Sequence, residues 1–183
     1  MNLFGYVRSD LARYSSAVQC EIPRRPRWVA AAETCLFKSG FHAVLLYRIS
    51  HSFYRLGMTW AAWSIARFSQ AITGAEIEFS AQIGAGLLIA HPAAIVIGRG
   101  TVIGGNATIY QGVTCGIRSW KGTGRSYPRI GDEVVLCAHA SVLGGICVGN
   151  KATIGAHTLV IADVPAGAVT RQPAAVFECA EAV

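Results

Sequence analysis

From residue 75 onward the chain repeats every six residues. Ile77, Ile83, Ile89 and Ile95 are six apart; the register slips by two, and Ile97, Ile103, Ile109 and Cys115 follow at the same spacing. After a non-periodic stretch, Ile130, Leu136, Val142, Val148, Ile154 and Val160 repeat without a miss. Glycine follows the repeated residue at 84, 98, 104, 131, 149 and 155, and a small residue often stands two before it, as at Ala81, Ala107, Ala140 and Ala152. Three such steps make one triangular coil of a parallel β-helix. The aliphatic residue points inward on each flat side, and small residues let the chain turn each corner. A sandwich would need period-two alternation and hairpin turns, and neither is present.

Residues 1–74 have a different texture. Leu3, Tyr6, Val7, Leu11 and Tyr14 suit a short amphipathic helix. Pro23 and Pro26 should break it. A second helical stretch is expected from Trp28 to Leu56 with an interruption at Gly40, and a third from Thr59 to Ile72. The fold expected is therefore mainly β: a left-handed parallel β-helix over 75–183 preceded by a small α-helical region over 1–74. The basic charge sits in that lead-in. Residues 1–74 hold nine Lys/Arg and three Asp/Glu, whereas 75–183 hold seven of each. The basic residues are interleaved with helix-like apolar spacing rather than aromatic platforms. That disfavours nucleic acid and leaves a solvated face, an acidic partner or an anionic membrane surface.

The apolar runs of the first third are broken by Lys38, Arg48, Arg55 and Arg67, so none reaches the roughly 18 residues of a spanning helix. Met1–Asp10 lacks the basic-then-apolar pattern of an export signal, and a cytoplasmic location is expected. The six cysteines form no C-x-x-C pair and are expected to be reduced and mostly buried. The segment that interrupts the repeat, 116–129, must bulge out as a loop. Its Arg118, Lys121, Arg125 and Arg129 suit an anionic ligand such as a phosphate. Beyond Pro165 the hexads stop, and a C-terminal cap is expected.

Several motifs are more specific than the hexads. They are Lys38–His51, the run Ile83–Gly98 with Ala90-His91-Pro92 at its centre, Tyr110-Gln-Gly-Val-Thr114, Pro128-Arg-Ile-Gly-Asp132, Asp163-Val-Pro165 and Gln172-Pro-Ala174. With these the chain resembles the serine acetyltransferase family of hexapeptide-repeat acyltransferases across most of residues 38–176. The resemblance implies acetyl transfer from acetyl-CoA to a hydroxyl. It also implies a homotrimer with sites between subunits, and a hexamer where helical lead-ins join two trimers. His91 is implied as the general base. An alcohol is a poor nucleophile, and an imidazole is suited to taking its proton. The family's orienting aspartate falls at Glu76, with Glu78 the other candidate. The oxyanion donor is left open between backbone N–H groups near Gly98 or Gly116 and a neighbouring subunit. CoA is expected along a groove at Gly116, Ala138, His139, Ala156 and His157. Its phosphates would lie toward Lys121, Arg125, Lys151 or Arg171. His139 and His157, eighteen residues apart, should stack at one corner. The histidine spacings fit no zinc site of this repeat class, and no metal is expected.

The departures bear on the acceptor. The family's Asp before the base is Ala90 here, and its Arg-His before the loop-ending proline is Ser126-Tyr127. Those family residues hold the charged ends of serine. Their absence points to a sugar or polysaccharide hydroxyl, or to a small biosynthetic intermediate, rather than strictly L-serine. The alternatives are a true serine O-acetyltransferase of cysteine biosynthesis and a non-catalytic β-helix that binds CoA or a partner.

Overall fold

The structure is a computed structural model that describes residues 2–119 and 126–171. Four helices come first: α1 (Leu3–Glu21), α2 (Arg27–Phe37), α3 (Ser39–Arg55) and α4 (Thr59–Thr73). The strands then follow in short steps. They are β1 (Glu76–Ile77), β2 (Gln82–Ile83), β3 (Leu88–Ile89), β4 (Val96–Ile97), β5 (Val102–Ile103), β6 (Thr108–Ile109) and β7 (Thr114–Gly116). After the loop come β8 (Arg129–Ile130), β9 (Val135–Leu136), β10 (Ser141–Leu143), β11 (Cys147–Val148), β12 (Thr153–Ile154), β13 (Leu159–Val160) and β14 (Val169–Thr170).

These make three parallel sheets, the faces of a triangular prism. Sheet one runs β1-β4-β7-β10-β13, sheet two β11-β8-β5-β2, and sheet three β14-β12-β9-β6-β3. Every hexad residue from Ile77 to Val160 is buried in the single column the spacing requires. Each fully buried aliphatic side chain contributes about 1.5–3 kcal/mol. Strands are short because the chain must turn after each inward residue.

The register records three irregularities. Glu76 pairs with Val96 and Leu88 with Thr108, so the first coil is 20 residues long; Val96 pairs with Thr114, so the next step is 18. The two extra residues fall at His91–Ala94. Thr108 pairs with Val135, which places nine extra residues in the loop. Gly116 and Arg129 belong to strands rather than to that loop, which therefore spans 117–128. The coil also continues past Pro165: Thr153 pairs with Val169, two residues short of the usual step. The cap segment 172–174 and the tail lie outside the described residues.

α1 runs to Glu21 and ends just before Pro23, where the prolines were expected to break it. The second helical stretch differs from expectation. The break in the second helical stretch is at Lys38, whose backbone is extended, and α2 and α3 meet there at 76°. Gly40 lies inside α3 instead. It is pressed against the Ile89 carbonyl so closely that a Cβ would overlap it. Among the described residues no single helix is long and apolar enough to cross a membrane.

A buried polar knot fixes the helices to the first coils. Arg48 of α3 donates from Nε to Asp10 Oδ2 at 2.9 Å and from Nη2 to Asp10 Oδ1 at 3.2 Å. It also donates to the Ile83 and Gly84 carbonyls, while Leu87 N donates to Asp10 Oδ1. The Tyr6 ring covers the guanidinium at 4.6 Å. With Arg48 4% and Asp10 0% exposed, this pair is sealed from water and every charged oxygen has a donor. Tyr14 Oη donates to Ile89 O and accepts from Ile89 N, and Tyr47 Oη donates to Ala81 O. Burial pushes both phenols well above their ordinary range.

The cysteines are not mostly buried. Cys115 sits in the aliphatic column, but Cys20, Cys35 and Cys147 are exposed. Cys115 alone among them occupies a hexad position, which is why the repeat placed it correctly.

Candidate active site

The prism has three edges, and the candidate residues are distributed over them. The edge between sheets three and one turns through Gly74, Ala94, Gly112, His139 and His157, all with positive φ between 56° and 75°. Each turn hangs from the one before it. Ala94 N donates to Gly74 O at 3.1 Å, Gly112 N to Ala93 O at 2.9 Å, His139 N to Gln111 O at 2.8 Å and His157 N to Ala138 O at 2.9 Å. Gly112 is required twice over, by its φ of 68° and because the His139 ring occupies the place of a Cβ.

His91 opens this edge on the longer first coil. Ala90 N donates to Ile109 O at 3.0 Å, the last regular bond before the chain bulges. Pro92 is buried and Ile95 N returns to Pro92 O at 3.3 Å, so the bulge is anchored while His91 is exposed. An extra residue in a strand re-aims its side chains in this way. Among the described residues the His91 ring has no hydrogen-bond partner within 3.5 Å. Ala90 beside it offers only a methyl group.

Glu76 begins the face that follows the Gly74 turn, directly beneath the His91–Ala94 corner. Its carboxylate accepts from Gln70 Nε2 at 3.0 Å and lies 3.7 Å from Arg67 Nη2. No hydrogen bond joins it to His91; α4 holds it. Glu78 shares the outward face with Glu76, alternating with the buried Ile77 and Phe79. Gln111 lies on the next coil two residues past the Ile89–Ile109 pairing, and its Oε1 is buried with no hydrogen-bond partner among the described residues. Sequence reasoning quoted Gln111 in a motif but gave it no role. Counting the 20-residue first coil places it one coil on from His91 in sequence.

Higher on the same edge, His139 and His157 stack with centroids 4.9 Å apart and planes at 11°, as their spacing requires. Ala138 and Ala156 immediately precede them. Arg171 passes over this edge as well: a Cβ on Gly155 would lie 3.4 Å from Arg171 Cα. Lys151 turns a different edge, between sheets two and three, with Asn106 and Glu133. It is not beside the stacked histidines of its own chain. Lys121 and Arg125 lie outside the described residues.

The third edge, between sheets one and two, carries the loop. Gly116 ends β7 and accepts at its carbonyl from Gly144 N at 2.9 Å. The Tyr127 ring lies on the Gly98 and Gly100 backbones, where neither residue has room for a Cβ. Ser126 precedes it. Within one chain, Ala90 and His91 are therefore on one edge and Ser126 and Tyr127 on another, with sheet one between them. Val96 and Leu159 on the outer surface of that sheet are exposed apolar residues. Among the described residues no group of three metal-ligating side chains is found.

No protein-family model matches the chain. Curated relatives do. A serine acetyltransferase of Helicobacter pylori is 41% identical over 143 residues, covering 78% of this chain and 81% of its own. One of Staphylococcus aureus is 37% identical over 155 residues, covering 85% and 72%. Among solved structures, the soybean serine acetyltransferase apoenzyme matches with a TM-score of 0.78 at 31% identity. The Neisseria gonorrhoeae serine acetyltransferase matches at 0.80 and 32%. These two are covered over 65% of their length, and this chain over 90% and 91%. The shared architecture is the left-handed β-helix with a helical lead-in. Relatives have been solved in complex with coenzyme A and with serine. With His91 displayed on a bulged coil of that helix, and identity of this order over most of both chains, the protein belongs to the serine acetyltransferase family, acetyl-CoA-dependent O-acetyltransferases of the hexapeptide-repeat class.

Proposed function

We propose that the chain acetylates the hydroxyl of L-serine from acetyl-CoA, in the cytoplasm, as a homotrimer with its active sites between neighbouring chains. The observation that carries this is His91, an exposed imidazole with no hydrogen-bond partner among the described residues, held on an anchored bulge at the position where the family has its base. The thioester supplies an acyl group that is already activated. His91 takes the hydroxyl proton as the oxygen bonds to the acyl carbon, then gives it to the departing sulfur as the C–S bond breaks. Glu76 orients the ring once its carboxylate leaves Gln70 and Arg67; Glu78 is the other carboxylate in reach of that face. Gly116, Ala138, His139, Ala156, His157 and Arg171 line the path for CoA. Lys121, Arg125 and Lys151 reach it from a neighbouring chain or the loop.

The separation of Ala90 and His91 from Ser126 and Tyr127 supports the trimer. Two edges of one prism cannot converge, but edges of adjacent copies can. What supports serine is the activity of the relatives, together with the neighbours solved with serine.

A second acceptor is favoured by one specific observation. Ala90, Ser126 and Tyr127 put no formal charge where the family has three charged or ionisable groups, and Tyr127 offers a flat aromatic edge. A neutral hydroxyl, such as that of a sugar, would need no such pairing. Product mass spectrometry separates the two. Purified protein with acetyl-CoA and an equimolar mixture of L-serine, homoserine and simple sugars should yield O-acetylserine as the dominant acetylated product. Acetylated sugar with no acetylserine would overturn serine and keep the transferase. CoA binding with no acetylated product would leave the chain a binder.

A further inference from the structure

We propose that the α3–α4 hairpin docks the protein onto an anionic phospholipid surface. The hairpin turns at Leu56-Gly57-Met58, and α4 then lays Trp60, Trp63, Arg67, Phe68 and Ile72 along one stripe at helical spacing. The opposite stripe of α4, with Ala62, Ser69 and Thr73, is buried, and Ser50 Oγ donates to Ala62 O at 2.6 Å, so the orientation is fixed. The outer stripe is open: Trp60 is 86% exposed and Leu56 76%. Two indoles, a phenyl ring and three aliphatic or thioether side chains side by side form an apolar patch of the kind that marks an interaction surface.

The charge selects the occupant. Residues 1–74 carry all of the excess positive charge, and the β-helix carries none. Asp10, Glu21 and Glu33, the acidic residues of the lead-in, are already engaged by Arg48, Lys38 and Arg25. Arg55, at the end of α3 beside Leu56, is exposed without a carboxylate partner among the described residues, as are Arg8, Arg24 and Arg27. Arg67 lies over the Trp63 ring at 5.7 Å. A second copy brought against this stripe would face like charge with like. A phosphodiester surface would meet Arg55 with opposite charge while the indoles sit at headgroup depth. The chain would then lie on the membrane, since its helices do not span one.

The test is vesicle flotation with the full chain. We expect it to float with phosphatidylcholine vesicles containing phosphatidylglycerol and to remain behind with phosphatidylcholine alone. High salt should release it, because the attraction is screened. Trp60→Ser with Trp63→Ser should lower binding by about tenfold or more. Arg55→Glu should lower it severalfold by an independent route. Both variants change exposed residues, so thiol release from acetyl-CoA and the melting temperature should stay at wild-type values. Three results would overturn the proposal: no flotation of wild type, flotation unaffected by both variants, or no lipid binding with a mass that halves in the tryptophan variant. The last would assign the stripe to a second copy.

Discussion

A single hexad position shows how much one residue can reveal. Cys115 stands where isoleucine or valine stands elsewhere in the column, and it is fully buried. Burial pushes its thiol from the ordinary value of 9.0 up to about 12. In the unfolded chain the thiol ionises near its ordinary value, whereas in the folded chain it stays protonated. Above pH 9.0 the folded state therefore holds more protons, and stability falls as pH rises toward about 12. Two consequences can be measured. A thiol reagent at neutral pH should modify Cys20 and Cys35 and leave Cys115 untouched until denaturant is added. Cys115→Val should flatten part of the loss of stability with alkali; rapid labelling of Cys115 in the native protein would show that the column is not closed. At this scale the sequence was legible wherever the hexad ruled. His91 was singled out by motif, and the stack of His139 on His157 followed from spacing. Gln111, whose Oε1 is buried without a partner among the described residues, was not singled out, because its place depends on a two-residue bulge that spacing recorded only as a slip. Tyr127 was read for acceptor chemistry. Its packing on Gly98 and Gly100 could not be anticipated, since it joins residues on either side of an insertion.

At the scale of elements, the strands followed from period six, and the helix expected over Thr59–Ile72 spans Thr59–Thr73, with Gly74 in its left-handed cap. What was not legible is how the helices grip the coils. Gly40 looked like a helix breaker, yet its role is close approach to Ile89, and the break fell at Lys38. Asp10 and Arg48 are 38 residues apart, and nothing in either neighbourhood signals a buried pair. That pair ties α1 and α3 to the carbonyls of Ile83 and Gly84, so its loss should be felt by the whole lead-in. Asp10→Ala leaves a guanidinium buried without its carboxylate, and we expect a cost of about 3–5 kcal/mol in denaturant titration. Replacing both, Asp10→Leu with Arg48→Met, should recover most of it, because the penalty is for the orphaned charge rather than for the missing attraction. Equal loss in the single and double variants would mean that the hydrogen bonds to Ile83, Gly84 and Leu87 carry the element contact instead.

For the whole molecule, the proposed trimer would divide the labour between chains. One edge presents His91 and the stacked imidazoles, another presents Ser126 and Tyr127, and the flat face of sheet one keeps them apart. In the proposed assembly one copy's edge is set against the next to complete the site. The helical lead-in sets the proposed orienting carboxylate at the base of the first coil and turns a basic, aromatic stripe outward. The proposed mechanism rests on His91 as the general base. The direct measurement is thiol release from acetyl-CoA in the presence of L-serine, comparing wild type with His91→Ala at matched CoA affinity. We expect the variant to bind CoA as wild type does and to lose turnover by about 10²–10⁴-fold, the usual contribution of a positioned general base. Turnover in His91→Ala within a few fold of wild type would contradict the assignment of the base and, with it, the location of the active site on this edge.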